Sequence, residues 1–210
     1  MGKSQQTLKK AHAYHHGDLR NALVEAGLEV LSKEGAEALN LREVARRAGV
    51  SHAAPYRHFV DKQALIDAIA EDGFHLLWAF IEKAAAKPTK SGGKRLIALG
   101  QAYVQFALHH PDHFRIMFTS VREAEESNQL YIASKAGFHV LIEALQAGQA
   151  SGELVKDDPI DQAKMLWASM HGLAVLLIDN QFTDAGSELE KYADSLVKRC
   201  IEQILAGLQR

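Results

Sequence analysis

The 210-residue chain is poor in the features that mark many protein classes. It has one cysteine, Cys200, so no disulfide can form within it, which fits a reducing compartment. The longest apolar run, "MLWASMHGLAVLLI" at 165–178, contains Ser169 and His171. It falls short of the roughly 20 residues that a membrane span needs, so it reads as a buried helix, with no membrane partner. Residues 1–16 are polar and basic without the apolar stretch of a signal peptide, and a cytoplasmic location is expected. No phosphate-binding glycine loop, nucleophile elbow or metalloprotease pair occurs, so no enzyme activity and no cofactor are expected. Strand-type alternation is almost absent.

What is present is helical periodicity and an uneven charge. The chain is 47% hydrophobic, enough for a core without covalent staples. Its net charge of −2 hides a division. Residues 1–60 hold nine Lys and Arg against six Asp and Glu, while 61–210 hold fifteen against twenty. Five of the eleven histidines also lie in the first segment. A basic head on an acidic body suits a head that meets a polyanion.

The spacing predicts an all-α fold of about nine helices. Asp18 caps a first helix that buries Leu19, Ala22, Leu23, Ala26, Leu28, Val30 and Leu31 and stops at Gly35. Asn40 caps a second, with Glu43 completing a capping box and Leu41, Val44, Ala45 and Ala48 as its apolar face. Ser51 caps a third to about Phe59, and Asp61 a fourth that ends before Pro88. Further helices are expected at about 93–109, from Pro111, at 123–150, at 160–182 and at 188–208, with Asp158 and Pro159 opening the 160–182 helix. The loop "KPTKSGGK" at 87–94 is a candidate seam between head and body, unless the fourth helix itself joins them. The expected organisation is a flexible arm at 1–16, a head at 17–62 and a body at 63–210.

The stretch "SHAAPYRHF" at 51–59 holds the functional signal. Two short helices joined through Gly49-Val50-Ser51 form a helix-turn-helix unit. Gly49 permits the positive φ of the corner, and Ala45 is small where the helices cross. Counted from a Ser51 cap, Pro55 sits at the fourth helical position; if the helix starts later, it sits nearer the favoured first position. His52, Ala53 and Ala54 occupy the end that faces DNA, where alanines allow close approach to base edges and thymine methyls. Tyr56, His58 and Lys62 are donors of a size to reach phosphates.

The run "LREVARRAGVSHAAPYRHFVDKQAL" resembles the DNA-binding head of the TetR/AcrR family of transcriptional regulators. It carries Ala48-Gly49-Val50-Ser51, then Tyr56-Arg57-His58-Phe59, then Lys62, with Asn40 and Pro55 where the family usually has Thr and Leu. The resemblance covers residues 17 to about 70. It implies a ligand-responsive, sequence-specific regulator of double-stranded DNA, a repressor by family default. It implies a DNA-facing set of Asn40, Arg42, Ser51, His52, Ala53, Ala54, Tyr56, Arg57, His58 and Lys62, with Arg42 paired to a guanine in the major groove. It also implies a homodimer formed through the last two helices, about 160–182 and 188–208, reading two half-sites of an inverted repeat.

In the body, Trp167, His171 and Gly172 resemble the Trp…His-Gly signature of one subclass of TetR C-terminal domains. The family further implies a small apolar or amphipathic effector. Its candidate wall is Tyr103, Phe106, Phe114, Met117, Phe138, Leu141, Trp167, Met170 and His171, with His171 either a contact or a structural histidine. An alternative reading is a metal-responsive sensor built on His109, His110 and His113, although Pro111 interrupts the helix between them.

Overall fold

A computed structural model describes residues 16–89, 91–121, 129–182 and 188–207. These form eight α-helices and a single 3-10 turn, with no strand among the described residues. The helices are α1 (His16–Glu34), α2 (Leu41–Arg47), α3 (Lys62–Ala85), α4 (Gly92–His109), α5 (Pro111–Val121), α6 (Gln129–Ala150), α7 (Pro159–Ile178) and α8 (Leu189–Gly207). The chain divides into two compact units between Leu65 and Ile66. The division falls inside α3, not in the 87–94 loop. The expected arm at 1–16 and the start of the 123–150 helix lie largely outside the described residues.

The head is built on local chemistry. Gly35 ends α1 at φ +82° and Gly49 turns the corner after α2 at φ +69°, a region that costs other residues about 1–2 kcal/mol. The Asn40 side chain accepts the Glu43 N–H at 2.9 Å and so caps α2. The Glu43 carboxylate, expected to complete a capping box, is instead bound by Arg46 and Arg47. Leu23, Val30, Leu39, Leu41, Val44, Ala45 and Phe59 form the buried centre of the head.

The expected third α-helix is not there. In its place stands one 3-10 turn, Pro55–Arg57, with no side-chain cap from Ser51. Proline explains this. An α-helix starting at Ser51 would need residue 55 to donate to the Ser51 carbonyl, and Pro55 has no N–H. That carbonyl instead accepts from Ala54 at 2.9 Å, three residues on. Pro55 then opens the turn, where a missing N–H costs nothing, and its ring is buried.

In the body α4 packs against α5, α6, α7 and α8. Ser91 caps it, and the Glu153 carboxylate accepts the Gly92 and Gly93 N–H groups at 2.5 and 3.2 Å. The "GG" pair therefore belongs to the helix rather than to the loop before it. A Cβ on Gly92 would lie 2.9 Å from the Gly148 Cα, so α4 begins where two glycine backbones meet. Asp158 caps α7 by accepting from the Ile160 N–H at 2.8 Å, with Pro159 at the first position. That helix stops at Ile178, short of 182, and Asn180 follows at φ +53°. The α8 stripe of Ala193, Val197, Ile201 and Leu205 is fully buried inside the chain.

Candidate nucleic-acid interface and ligand cavity

The head carries several arginines, but they are not equally available. The Arg46 guanidinium makes two hydrogen bonds to Glu43, at 2.6 and 2.8 Å. Arg47 pairs with Glu43, Glu29 and Glu34, joining α1 to α2. Those two guanidinium groups hold the Glu43 carboxyl down to about 2. By contrast, exposed Arg42 and Arg57 have no ion pair among the described residues. Among the described residues, Arg42 and Arg57 are thus the two arginines of the expected set, and both are exposed without an ion pair.

The rest of that set divides by burial. Ser51, His52, Ala53 and Tyr56 are exposed, with Tyr56 at 55%. Ala54, His58 and Lys62 are half-buried. The Lys62 ammonium donates to the Ala36 carbonyl, which ties the start of α3 to the α1–α2 connection. Asn40 is occupied with capping α2 and donates from its amide to the Ala38 carbonyl. Lys62 and Asn40 thus have structural partners, whereas Arg42, Ser51, His52, Tyr56 and Arg57 face solvent.

The body encloses a cavity of about 400 Å³, within the range of small-molecule sites. Six helices contribute to its wall, α3 through α8. Of the nine residues expected there, Tyr103, Phe138, Leu141, Trp167 and Met170 line it. Phe106, Phe114 and Met117 do not. They are almost fully buried core, with Phe106 stacked on His110 and edge-on to Phe80. Their aromatic or sulfur chemistry is the same on either side of a wall, so only packing could sort them.

His171 also stands behind the wall. Its Nδ1 lies 2.9 Å from the Tyr103 hydroxyl, and its ring stacks on Phe114 and meets Phe118 edge-on. The Trp167 Nε1–H, which can only donate, reaches the same hydroxyl at 3.3 Å. The complementary arrangement has the Tyr103 O–H donating to an unprotonated His171 Nδ1. Burial favours it from both sides, raising the Tyr103 pKa and lowering that of His171.

Sequence reasoning missed several wall residues: Phe74, Trp78, Phe118, Lys135, Gly137 and Lys164. Two signals pointed to two of them, Gly137 and Trp78. A glycine inside a long helix costs about 1 kcal/mol against alanine. Gly137 repays it, because a Cβ there would overlap the Trp78 indole. The indole N–H of Trp78 in turn needs an acceptor when buried, and it donates to the Ala133 carbonyl at 2.6 Å.

The histidine cluster does not form a metal centre. His109 Nδ1 is engaged by the Gln105 carbonyl at 2.7 Å, His110 stacks on Phe106, and His113 faces Asp72 at 3.4 Å. Pro111 separates the rings onto different tasks. No group of three metal-ligating side chains with suitable geometry occurs among the described residues. The metal-sensor alternative is thereby left without support.

A helix-turn-helix unit with unpaired arginines, followed by a separate helical unit around an apolar cavity, defines a class: helical DNA-binding transcription regulators. Comparison with known proteins makes this specific. The family "Bacterial regulatory proteins, tetR family" matches residues 23–69, and "Tetracyclin repressor-like, C-terminal domain" matches residues 96–200. The chain belongs to the TetR family of regulators.

The tetracycline repressor protein class C of Escherichia coli is 46% identical over 52 residues, which is 25% of this chain and 24% of that protein. An uncharacterized HTH-type transcriptional regulator of Haemophilus influenzae is 31% identical over 119 residues, 56% of each chain. The match thus spans a quarter of one curated relative and just over half of the other. A solved structure of a protein with unknown function from Rhodococcus sp. RHA1 superposes with a TM-score of 0.82 at 34% identity, covering 95% of this chain and 100% of that one. Among the described residues no helix is long and apolar enough to cross a membrane.

Proposed function

We propose that the protein is a cytoplasmic, ligand-responsive repressor that binds an inverted-repeat operator and is released when a small, mostly apolar effector enters the body. The cavity carries this reading, since an apolar chamber of drug size in the unit beyond the DNA-binding head has a natural use as a sensor. Arg42 reads a guanine, Ser51, His52, Ala53 and Ala54 approach base edges, and Tyr56, Arg57, His58 and Lys62 hold phosphates. Asn40 acts through the cap that fixes Arg42 at the start of α2.

The protein works as a homodimer through α7 and α8. Support comes mainly from α7, where Met165 (56% exposed), Ala168, Gly172 and Leu176 (43% exposed) form an uncovered stripe at helical spacing. The apolar side of α8 is met largely within the chain. Effector and DNA compete through the spacing of the two heads, so the loss of DNA affinity equals the effector's preference for the unbound spacing.

The test is selection of purified protein on a random duplex library at near-physiological salt, followed by sequencing of the bound pool. An enriched inverted repeat is expected, with binding that weakens steeply as salt rises. A pool without enrichment from folded, ligand-free protein would overturn the reading.

A further inference from the structure

The cavity wall contains polar side chains, yet the neutral ones are already committed. Trp78 donates to the Ala133 carbonyl, Trp167 to the Tyr103 hydroxyl, and Ser134 to the Tyr131 carbonyl at 2.6 Å. The Tyr103 hydroxyl is shared with His171. A ligand's polar group placed deep inside would have to break one of these pairs or go unpaired, and either is costly. The deep wall therefore suits only an apolar body.

The lining residues that are exposed, and so mark where the cavity opens, are Lys135, Lys164 and Trp167. Among the described residues the charged lining groups, Lys135 and Lys164, are both cations, and no carboxylate lines the cavity. Lys164 is partly neutralised by Asp161 at 2.9 Å. Lys135 has no carboxylate partner among the described residues. Its ammonium lies over the Tyr131 ring at 4.9 Å, a weak hold at an exposed position. One cation at the opening is thus available to a ligand.

Resting on the effector reading above, we infer that the ligand is an amphipathic organic anion, its apolar body in the cavity and its acidic head at Lys135 and Lys164. Neutral lipophiles lack a partner for this charge, and cations are repelled by it.

The protein carries its own reporter. Both of its tryptophans, Trp78 and Trp167, line the cavity. The experiment titrates the full chain with decanoate, decanamide, decanol and decylamine, following tryptophan emission, and repeats it with Lys135→Gln and Lys135→Arg. Decanoate is expected to bind about fivefold or more tighter than the amide and alcohol at low salt, and decylamine weakest. Lys135→Gln should remove most of that preference and Lys135→Arg should keep it. Asp161→Asn, which frees Lys164, should strengthen decanoate alone. Going from hexanoate to octanoate to decanoate, each methylene should tighten binding about fourfold.

Equal binding of acid and amide, a preference for the amine, or no gain with chain length would each overturn the inference, as would no binding of any probe. The regulator reading fails separately. Decanoate that binds with the expected preference but leaves affinity for the selected operator unchanged would leave the anion site standing and remove its proposed role.

Discussion

In the head, the polar groups at the helix-turn-helix corner are tied to one another on one side and open on the other. Arg46 and Arg47 are held by Glu43, while Arg42 and Arg57 face solvent without an ion pair among the described residues. In the body the order is reversed. The neutral polar groups deep in the cavity are already paired, and the deep surface left for a ligand is aromatic and aliphatic, with the cations Lys135 and Lys164 at its opening. The head is equipped to recognise by charge and hydrogen bonding, the body mainly by shape, with charge confined to the opening of its cavity. The two units should therefore respond differently to the same kinds of perturbation.

The largest difference should come from the size of their cores. Phe59 is buried in a unit with few other large side chains, so Phe59→Ala should cost the head about 3–5 kcal/mol. Because both tryptophans lie in the body, a denaturation followed by tryptophan emission reports the body alone, while far-UV circular dichroism reports both units. The variant should show an early dichroism transition with no shift in the emission midpoint. A joint shift would mean that the two units unfold as one.

The corresponding cut in the body is Tyr103→Phe. It removes one oxygen and leaves both the Trp167 Nε1–H and the His171 Nδ1 without their partner. The expected loss is about 1–3 kcal/mol, read in the emission midpoint, with DNA affinity of the ligand-free protein unchanged. A null result would mean that the triad is not closed as described.

Within the head, Arg42→Ala and Arg46→Ala separate the open side from the tied one. Arg42→Ala should cost about 1–3 kcal/mol of preference for the selected operator over a site altered at the contacted base. Arg46→Ala removes a guanidinium already engaged by Glu43, and operator binding should change by only about 0.5 kcal/mol. If both variants lose specificity equally, the free and paired arginines are not functionally distinct.

The same contrast governs what can be read from the sequence. The head's turn residues were legible because each acts on its immediate neighbours: Gly49 on its own φ, Asn40 on the N–H three residues on, Asp61 on that of Ala64. The expectations that fail there are the first-helix cap, since Asp18 lies inside α1, and the capping box, since Arg46 and Arg47 take the Glu43 carboxylate. The third helix fails with them, because it gives Ser51 a capping role although Pro55 removes the bond that would continue an α-helix. The cavity draws on six helices, and whether an aromatic faces it or the core depends on contacts far apart in sequence. Phe114 and Phe118 lie four residues apart on α5, yet only Phe118 lines it. Gly137 was the nearest thing to a local clue, since it points to a close approach without naming Trp78.

The smallest expected effect is on acid stability, and its order in pH follows from which groups are shifted. Glu43 in the head is held at about 2, mainly by its hydrogen bonds to Arg46 and then Arg47. A depressed carboxylate contributes stability that is intact above its ordinary value of about 4.5 and is lost as pH falls toward 2. In the body, burial depresses His171. Burial also depresses His110, with the neighbouring charges of His113 and His109 acting in the same direction. A depressed histidine favours the neutral form in the folded state, so its stabilising effect is present above about 6.5 and declines below it. Protonation of His171 would also compete with the Tyr103 hydroxyl for Nδ1. Between about pH 6.5 and 4.5 the emission midpoint of the body should therefore fall while backbone hydrogen exchange in α1 and α2, corrected for intrinsic rates, holds level. Replacing His171 with Asn should reduce the slope in that window without touching the head's decline at lower pH. Parallel losses in the two units across it would show that their acid responses are not set by these groups.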